Sequence, residues 1–363
     1  MSALDNIKVS GYKSILDMNL SLNNLNVLIG ANGSGKSNFI SLFKLLNQVV
    51  ERSLQLYVGK EGGANSLLYF GRKTTDAISI YLAFGSNKYS VQFVPTVDDR
   101  LIFGDEYCEH TYPTGIPFKV QLASGSRETE LVDEATTRGG RIAHHVLRSL
   151  RSWKVYHFHD TSENAKVKQL GDLSDNKVLR PDASNLAAFL FSLQSRHVGN
   201  YNKIVQTIRL MVPFFDDFNL SPSTLNESKI QLEWREKGSD TYFNANALSD
   251  GTIRFMCLAT LLLQPHLPST ILIDEPELGL HPYAITLLSG LLKSASIRTQ
   301  VIISTQSVSL VNQFSAEDVI IVDKDPKNGS SLFRRLEKSE IESWLQEYGL
   351  GELWEKNVLG GRP

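Results

Sequence analysis

Gly30-Ala31-Asn32-Gly33-Ser34-Gly35-Lys36-Ser37 decides the reading of this chain. It satisfies G-x-x-x-x-G-K-[ST], and at ordinary residue frequencies a chance match in a chain of this length is on the order of 1%. The context is the required one. Asn26-Val27-Leu28-Ile29 before it is a short apolar run of buried-strand type, and Phe39, Ile40, Leu42, Phe43, Leu45, Leu46 and Val49 after it recur at helical spacing, predicting a helix over 37–55. Glycines let several backbone N–H groups converge on phosphate oxygens, and the helix start adds the positive end of a dipole. In such a loop Lys36 reaches the β- and γ-phosphates and the Ser37 hydroxyl ligates Mg²⁺.

Outward from the loop, Ile7–Ser10 and the alternating Leu16, Met18, Leu20, Leu22 read as strands. Residues 76–122 are β-rich, with turn clusters at Gly85-Ser86-Asn87 and Val97-Asp98-Asp99. Residues 140–215 read as largely helical with a strand-like Lys154–His159 inside, 228–243 alternate again, and a helix–strand–helix series fills 251–350. The expected division is an N-terminal lobe over 1–135, a helical insert or lid over 136–240 and a C-terminal lobe over 241–363. There is no internal repeat and no sustained heptad pattern.

The second half of the chain supplies complementary chemistry. Thr270-Ile271-Leu272-Ile273-Asp274-Glu275-Pro276 is an apolar run ending in two acids, which a buried strand presents at its C-terminal edge, where open α/β sheets bind ligands. Asp274 there would hold Mg²⁺ and Glu275 would polarise an attacking water as general base. Ser249, 26 positions before Glu275, opens Ser249-Asp250-Gly251-Thr252 ahead of an apolar helix. Ser249 is a good N-cap and Gly251 a bare backbone, so a second anion-binding helix start is expected.

These three motifs, in this order, resemble the ATP-binding cassette ATPases, in particular the SMC, RecF, Rad50 and OLD branch of AAA-type heads. Gly30 to Asn38 is similar to that branch's phosphate loop, Gly11-Tyr12-Lys13-Ser14-Ile15 to its opening, Leu248-Ser249-Asp250-Gly251 to the family signature, and Asp274 to Pro282 to the extended Walker B segment. The resemblance implies an α/β P-loop head with a β-rich N-terminal sheet and an inserted helical lobe. It also implies an ATP-driven dimer in which the Ser249 and Gly251 signature of one copy caps the γ-phosphate held by the other's loop, with Gly30, Asn32, Gly33, Ser34, Gly35, Lys36, Ser37 and Asn38 around the nucleotide. Two departures stand out. Asp250 replaces a glycine and sets a carboxylate where a γ-phosphate is expected, unfavourable unless it is turned away. Gln306, in Ser304-Thr305-Gln306-Ser307, replaces a histidine; it donates a hydrogen bond but carries no proton, which implies slow hydrolysis. The Q-loop slot falls by position near Tyr156–Thr161.

Composition limits the remainder. Across 363 residues, 37 Lys and Arg against 39 Asp and Glu give a net charge of −2, so any nucleic-acid contact is a local patch. Arg138, Arg141, Arg148, Arg151 and Lys154 with His144 and His145 form such a stripe, a candidate DNA face whose bland alternative is a solvated helix. Two distant cysteines, Cys108 and Cys257, exclude a disulfide scaffold. With no apolar run of 18 residues and no signal pattern at the opening, a cytoplasmic protein without membrane contact is expected. A zinc site built on His157 and His159 lacks a spacing rule, and Asp323-Lys324-Asp325 is the only hint of a metal-dependent nuclease. The reading is therefore an ATPase switch in DNA transactions or an anti-phage defence module with a separately encoded effector; the alternatives are a non-hydrolysing ATP-gated scaffold and an OLD-like nuclease.

Overall fold

The alternating segments at the start of the chain become strands in the computed structural model, which describes residues 3–361. β1 (Asn6–Tyr12), β2 (Ile15–Ser21), β3 (Leu25–Ile29), α1 (Lys36–Val50) and α2 (Leu54–Lys60) come first. β4 (Ile78–Phe84), β5 (Asn87–Pro95), β6 (Leu101–Thr111) and β7 (Pro117–Gln121) follow. β2-β1-β4-β5-β6-β7 form one antiparallel sheet. Its inner face carries Ile78, Ile80, Leu82 and Phe84 at period two, all buried.

The second sheet holds the phosphate loop. After α3 (Arg141–Arg151) and β8 (Trp153–Tyr156) the chain makes α4 (Leu186–Arg196), α5 (Val198–Met211), α6 (Asp250–Leu263), β9 (Thr270–Asp274), α7 (Pro282–Ser296), β10 (Gln300–Thr305), β11 (Val319–Lys324), β12 (Ser331–Arg335) and α8 (Leu350–Glu355). The strand order is β12-β11-β3-β10-β9-β8. β3 lies inside it, parallel to β10 and β11, and every one of its five residues is buried. That is why Asn26 to Ile29 reads as a continuous apolar run.

By contacts the chain divides into two compact units, one of Met1–Lys154, Pro268–Leu272 and Thr299–Pro363, the other of Val155–Leu267 and Ile273–Arg298. The first contains the loop, and α3 packs there on α1, β5 and β6. Its core includes Trp153, whose ring lies 5.0 Å from Phe43 and 5.7 Å from Phe84. The second unit is helical with two small three-stranded sheets, Phe215–Asn219 with Glu233–Glu236 and Tyr242–Asn244, and Pro222–Ser223 with Asn226–Ile230 and Gly171–Asp172.

Two expectations are corrected. The helix over 37–55 stops at Val50, because Arg52 takes φ 54°, a left-handed conformation that ends a helix, and a separate α2 follows. The stretch 157–185 is not helical beyond the short 3₁₀ turn Lys166–Lys168. Its polar side chains bond to their own backbone instead, as when Asn185 donates to Asp175 O at 2.8 Å and Val178 O at 2.9 Å.

Trp153→Ala removes the ring shared by α1 and β4. We expect a loss of about 3–5 kcal/mol of unfolding free energy, read from the urea midpoint; a loss below 1 kcal/mol would mean that the site collapses and the ring is not a structural centre.

Candidate functional site: a braced phosphate loop and a signature helix

Lys36 begins α1 and is buried, its Nζ donating to Gly30 O at 2.6 Å and Ala31 O at 3.0 Å. The α1 N-terminus has Gly35 as its cap residue, no side-chain cap and no acid in its first turn. Those first N–H groups are the ones an anion takes up. The Ser34 hydroxyl is buried in the loop with no hydrogen-bond partner. A helix start without a side-chain cap, one buried cation and one unsatisfied hydroxyl suit phosphate oxygens.

The loop is braced from outside. Asn38 Nδ2 donates to Ser14 Oγ at 2.7 Å, the Ser14 and Ser331 hydroxyls lie 2.7 Å apart, and Ser331 Oγ reaches the carbonyl of Ser34. Each hydroxyl has one hydrogen. If Ser331 donates to Ser34 O, then Ser14 donates to Ser331, and the run Asn38 → Ser14 → Ser331 → Ser34 satisfies every member. Ser331 N also donates to Ser14 O at 2.7 Å. A Cβ at Gly35, where φ is 120°, would fall 2.1 Å from Ser331 Oγ and 3.0 Å from Ser14 Oγ, so only glycine lets this brace close on the loop.

Gln306 follows β10, whose Thr305 pairs with Ile29, so its backbone stands level with Gly30 at the same sheet edge. On the other side of β3 runs β11. Asp323 at its end accepts from Gly361 N at 3.1 Å, and Trp354 Nε1 donates to Gly361 O, which holds residue 361 against Gly30. The acids of 323–325 thus serve a tether and a turn, with Asp325 Oδ1 accepting from Lys327 N at 2.8 Å. Among the described residues no cluster of three metal-ligating side chains occurs.

The second unit builds its own constellation. Ser249 caps α6, accepting from Thr252 N at 3.2 Å. A Cβ at Gly251 would fall 2.4 Å from Gly279 O, so the signature helix touches the loop after Glu275 through bare backbone. Arg254, one turn along α6, donates to Phe158 O at 2.9 Å, His159 O at 2.8 Å and Leu278 O at 2.8 Å. Those carbonyls belong to the expected Q-loop slot and to the segment after Glu275. Asp274, Glu275, Phe158, His159 and Arg254 line one small cavity. Glu275 sits at φ 44°, a left-handed conformation for a residue with a side chain. The Asp250 carboxylate is largely exposed and lies 3.9 Å from the buried Lys168 Nζ, which offsets its charge.

Within the first unit the structure thus brings together Gly30 to Asn38 and Gln306; within the second, Ser249, Gly251, Asp274 and Glu275 lie on α6 and the segment it touches. Sequence reasoning missed Ser331 and Arg254, and it read Asp323 as a nuclease hint where the structure has it accept from Gly361 N. Ser331 carries no local signal, being 297 positions from Ser34. Arg254 did carry one, as a lone cation in the apolar helix 253–263. On α3 the basic stripe is exposed at Arg141, His144, His145, Arg148 and Arg151, with Ala143, Val146, Leu147 and Leu150 buried beneath.

A sequence family described as "AAA domain, putative AbiEii toxin, Type IV TA system" matches residues 25–312, from β3 past Gln306. The chain belongs to that family. Two solved structures share the fold. One is the Smc head bound to the C-terminal winged-helix domain of ScpA, at TM-score 0.55 and 16% identity over 93% of this chain and 98% of that one. The other is a Smc head domain with an extended coiled coil bound to the C-terminal domain of ScpA, from Pyrococcus furiosus, at TM-score 0.52 and 14% identity over 96% and 99%. No curated protein matches in sequence. The fold is therefore an ABC-type P-loop ATPase head of the SMC and RecF kind, as the motifs imply. Among the described residues no helix is long and apolar enough to cross a membrane.

The strain at Glu275 has a direct test. At an ordinary position alanine is more stable than glycine by about 0.5–1 kcal/mol. Here we expect the reverse, Glu275→Gly exceeding Glu275→Ala by about 1 kcal/mol in thermal or urea unfolding. The ordinary order would show that the left-handed backbone costs nothing.

Proposed function

We propose that this protein binds ATP with Mg²⁺ on the loop 30–38, hydrolyses it slowly and uses it to close two copies into a dimer. The observation that carries the reading is the braced loop, with the uncapped start of α1, the buried Lys36 ammonium and the unsatisfied Ser34 hydroxyl all present in one turn of chain. Lys36, Ser34 and the N–H groups from Asn32, Gly33 and Gly35 bind and orient the phosphates, and Asn38 fixes the helix start through Ser14. Ser37 and Asp274 are the residues to hold Mg²⁺, which when bound neutralises charge on the phosphate oxygens. Glu275 orients the attacking water and accepts its proton. Gln306 donates a hydrogen bond there and cannot relay a proton, which keeps turnover low.

Ser249 and the Gly251 N–H cap the γ-phosphate held by the partner copy. Arg254, gripping the carbonyls on both sides of that cavity, ties the signature helix to the Glu275 segment, so that closing and hydrolysis are mechanically linked. The family description, which names a putative toxin of a type IV toxin–antitoxin system, supports a defence role; a cytoplasmic location and a separately encoded effector follow from the resemblance of the motifs. The two Smc heads, each bound to a ScpA domain, support a head that takes a protein partner. The exposed α3 stripe supports DNA as a ligand.

The test is solution mass. Glu275→Gln with ATP and Mg²⁺ should double its mass, and Ser249→Arg should abolish the doubling; a mass that ignores ATP would replace the switch with a scaffold. For DNA, affinity for a duplex should fall in Arg141→Glu with Arg148→Glu and fall with added salt. Unchanged affinity would leave the stripe a solvated face.

A further inference from the structure

The second unit contains another cavity, of ≈ 170 Å³, between the C-terminal half of α4, the loop 176–178 and the turn after α6. Its floor is apolar, with Phe189 and Leu193 buried. Its mouth is basic: Lys177, Arg196 and His266 are exposed there and His197 half-exposed. The two histidine rings meet edge to face, with centroids 5.7 Å apart. No carboxylate lines the cavity. The acids nearest along the chain are committed elsewhere, Asp175 to Arg180 and Asp182 to Lys166 at 3.6 Å. Arg196 and His197 close the end of α4, whose carbonyls favour cations. Lys177 and His266 stand on loops and have no such reason to be there.

The walls are set in advance. Buried Asn185 donates to Asp175 O and Val178 O and accepts from Arg180 N at 2.9 Å, which pins the loop bearing Lys177. Asn200 Nδ2 donates to Leu263 O at 2.7 Å, which pins the end of α6 just before His266. A site held in shape this way loses little on binding. The whole cavity of ≈ 170 Å³, floored by Phe189 and Leu193 and walled in part by the polar Asn176, Ser192 and Gln264, has room for about one ring. At the mouth two permanent cations, with no counter-ion among the described residues, match a doubly charged, multi-oxygen anion.

We propose that this cavity binds a small phosphate monoester with a single-ring body, the ring against Phe189 and Leu193 and the phosphate against Lys177 and Arg196. The cavity belongs to a different part of the chain from the phosphate loop, so binding there is independent of ATP turnover.

Phenyl phosphate is the probe, titrated into the full chain with and without excess ATP and followed by saturation-transfer NMR of the ring protons. We expect a Kd of about 1 mM, unmoved by ATP, and weakened at least about tenfold in Lys177→Gln and in Arg196→Gln. Phenol, which lacks the phosphate, should show no comparable binding. Both substituted side chains are exposed, so the unfolding midpoint should stay that of the wild type. Absence of binding up to about 10 mM, affinity indifferent to both substitutions, or displacement by ATP would each overturn the assignment, the last by placing the probe in the phosphate loop.

Discussion

A loop that offers its backbone to phosphate has no side chains of its own to hold it in shape, and the rest of this structure answers that constraint. The relay from Asn38 through Ser14 and Ser331 to the carbonyl of Ser34 supplies the missing support. It draws on the β1–β2 turn, the first turn of α1 and the start of β12, so three distant stretches must be in place before the loop is. Gly35 is the cost of that arrangement, since any side chain there would occupy the place of Ser331. The same logic explains why β3 lies inside its sheet, flanked by β10 and β11: a strand buried along its whole length delivers Gly30 to a fixed point.

The second unit uses the opposite device. Its acids and its signature are held by contact through bare backbone and by one arginine that satisfies three carbonyls. Gly251 lies close against Gly279 O, which packs the helix start on the segment after Glu275, and Arg254 ties both to Phe158 and His159. The left-handed backbone at Glu275 is consistent with a side chain aimed by its surroundings rather than by local preference. Asp250, awkward as a lone carboxylate, is tolerable beside Lys168.

Much of this was legible in the sequence where the signal is local. The loop 30–37, the buried run before it and the amphipathic helix after it need only spacing and period. Ser249 as a cap and the α3 stripe follow from the same reasoning. What spacing does not display is what arrives from afar: Ser331 against Gly35, Asp323 holding residue 361, and the interruption of helix at Arg52, which depends on one backbone angle. By contacts, the two units each draw on separated stretches of chain. Of the residues that act across such separations, Arg254 is the one with a local signal, because a cation inside a buried helix is itself a sign that carbonyls are waiting for it.

The account rests on the loop as a nucleotide site, and equilibrium titration of ATP with Mg²⁺ into wild type and Lys36→Ala tests it most directly. Loss of one buried charge-assisted contact should weaken binding about 10- to 100-fold, with the fold intact by unfolding midpoint. Equal affinity in the two proteins, or no binding by the wild type, would contradict it.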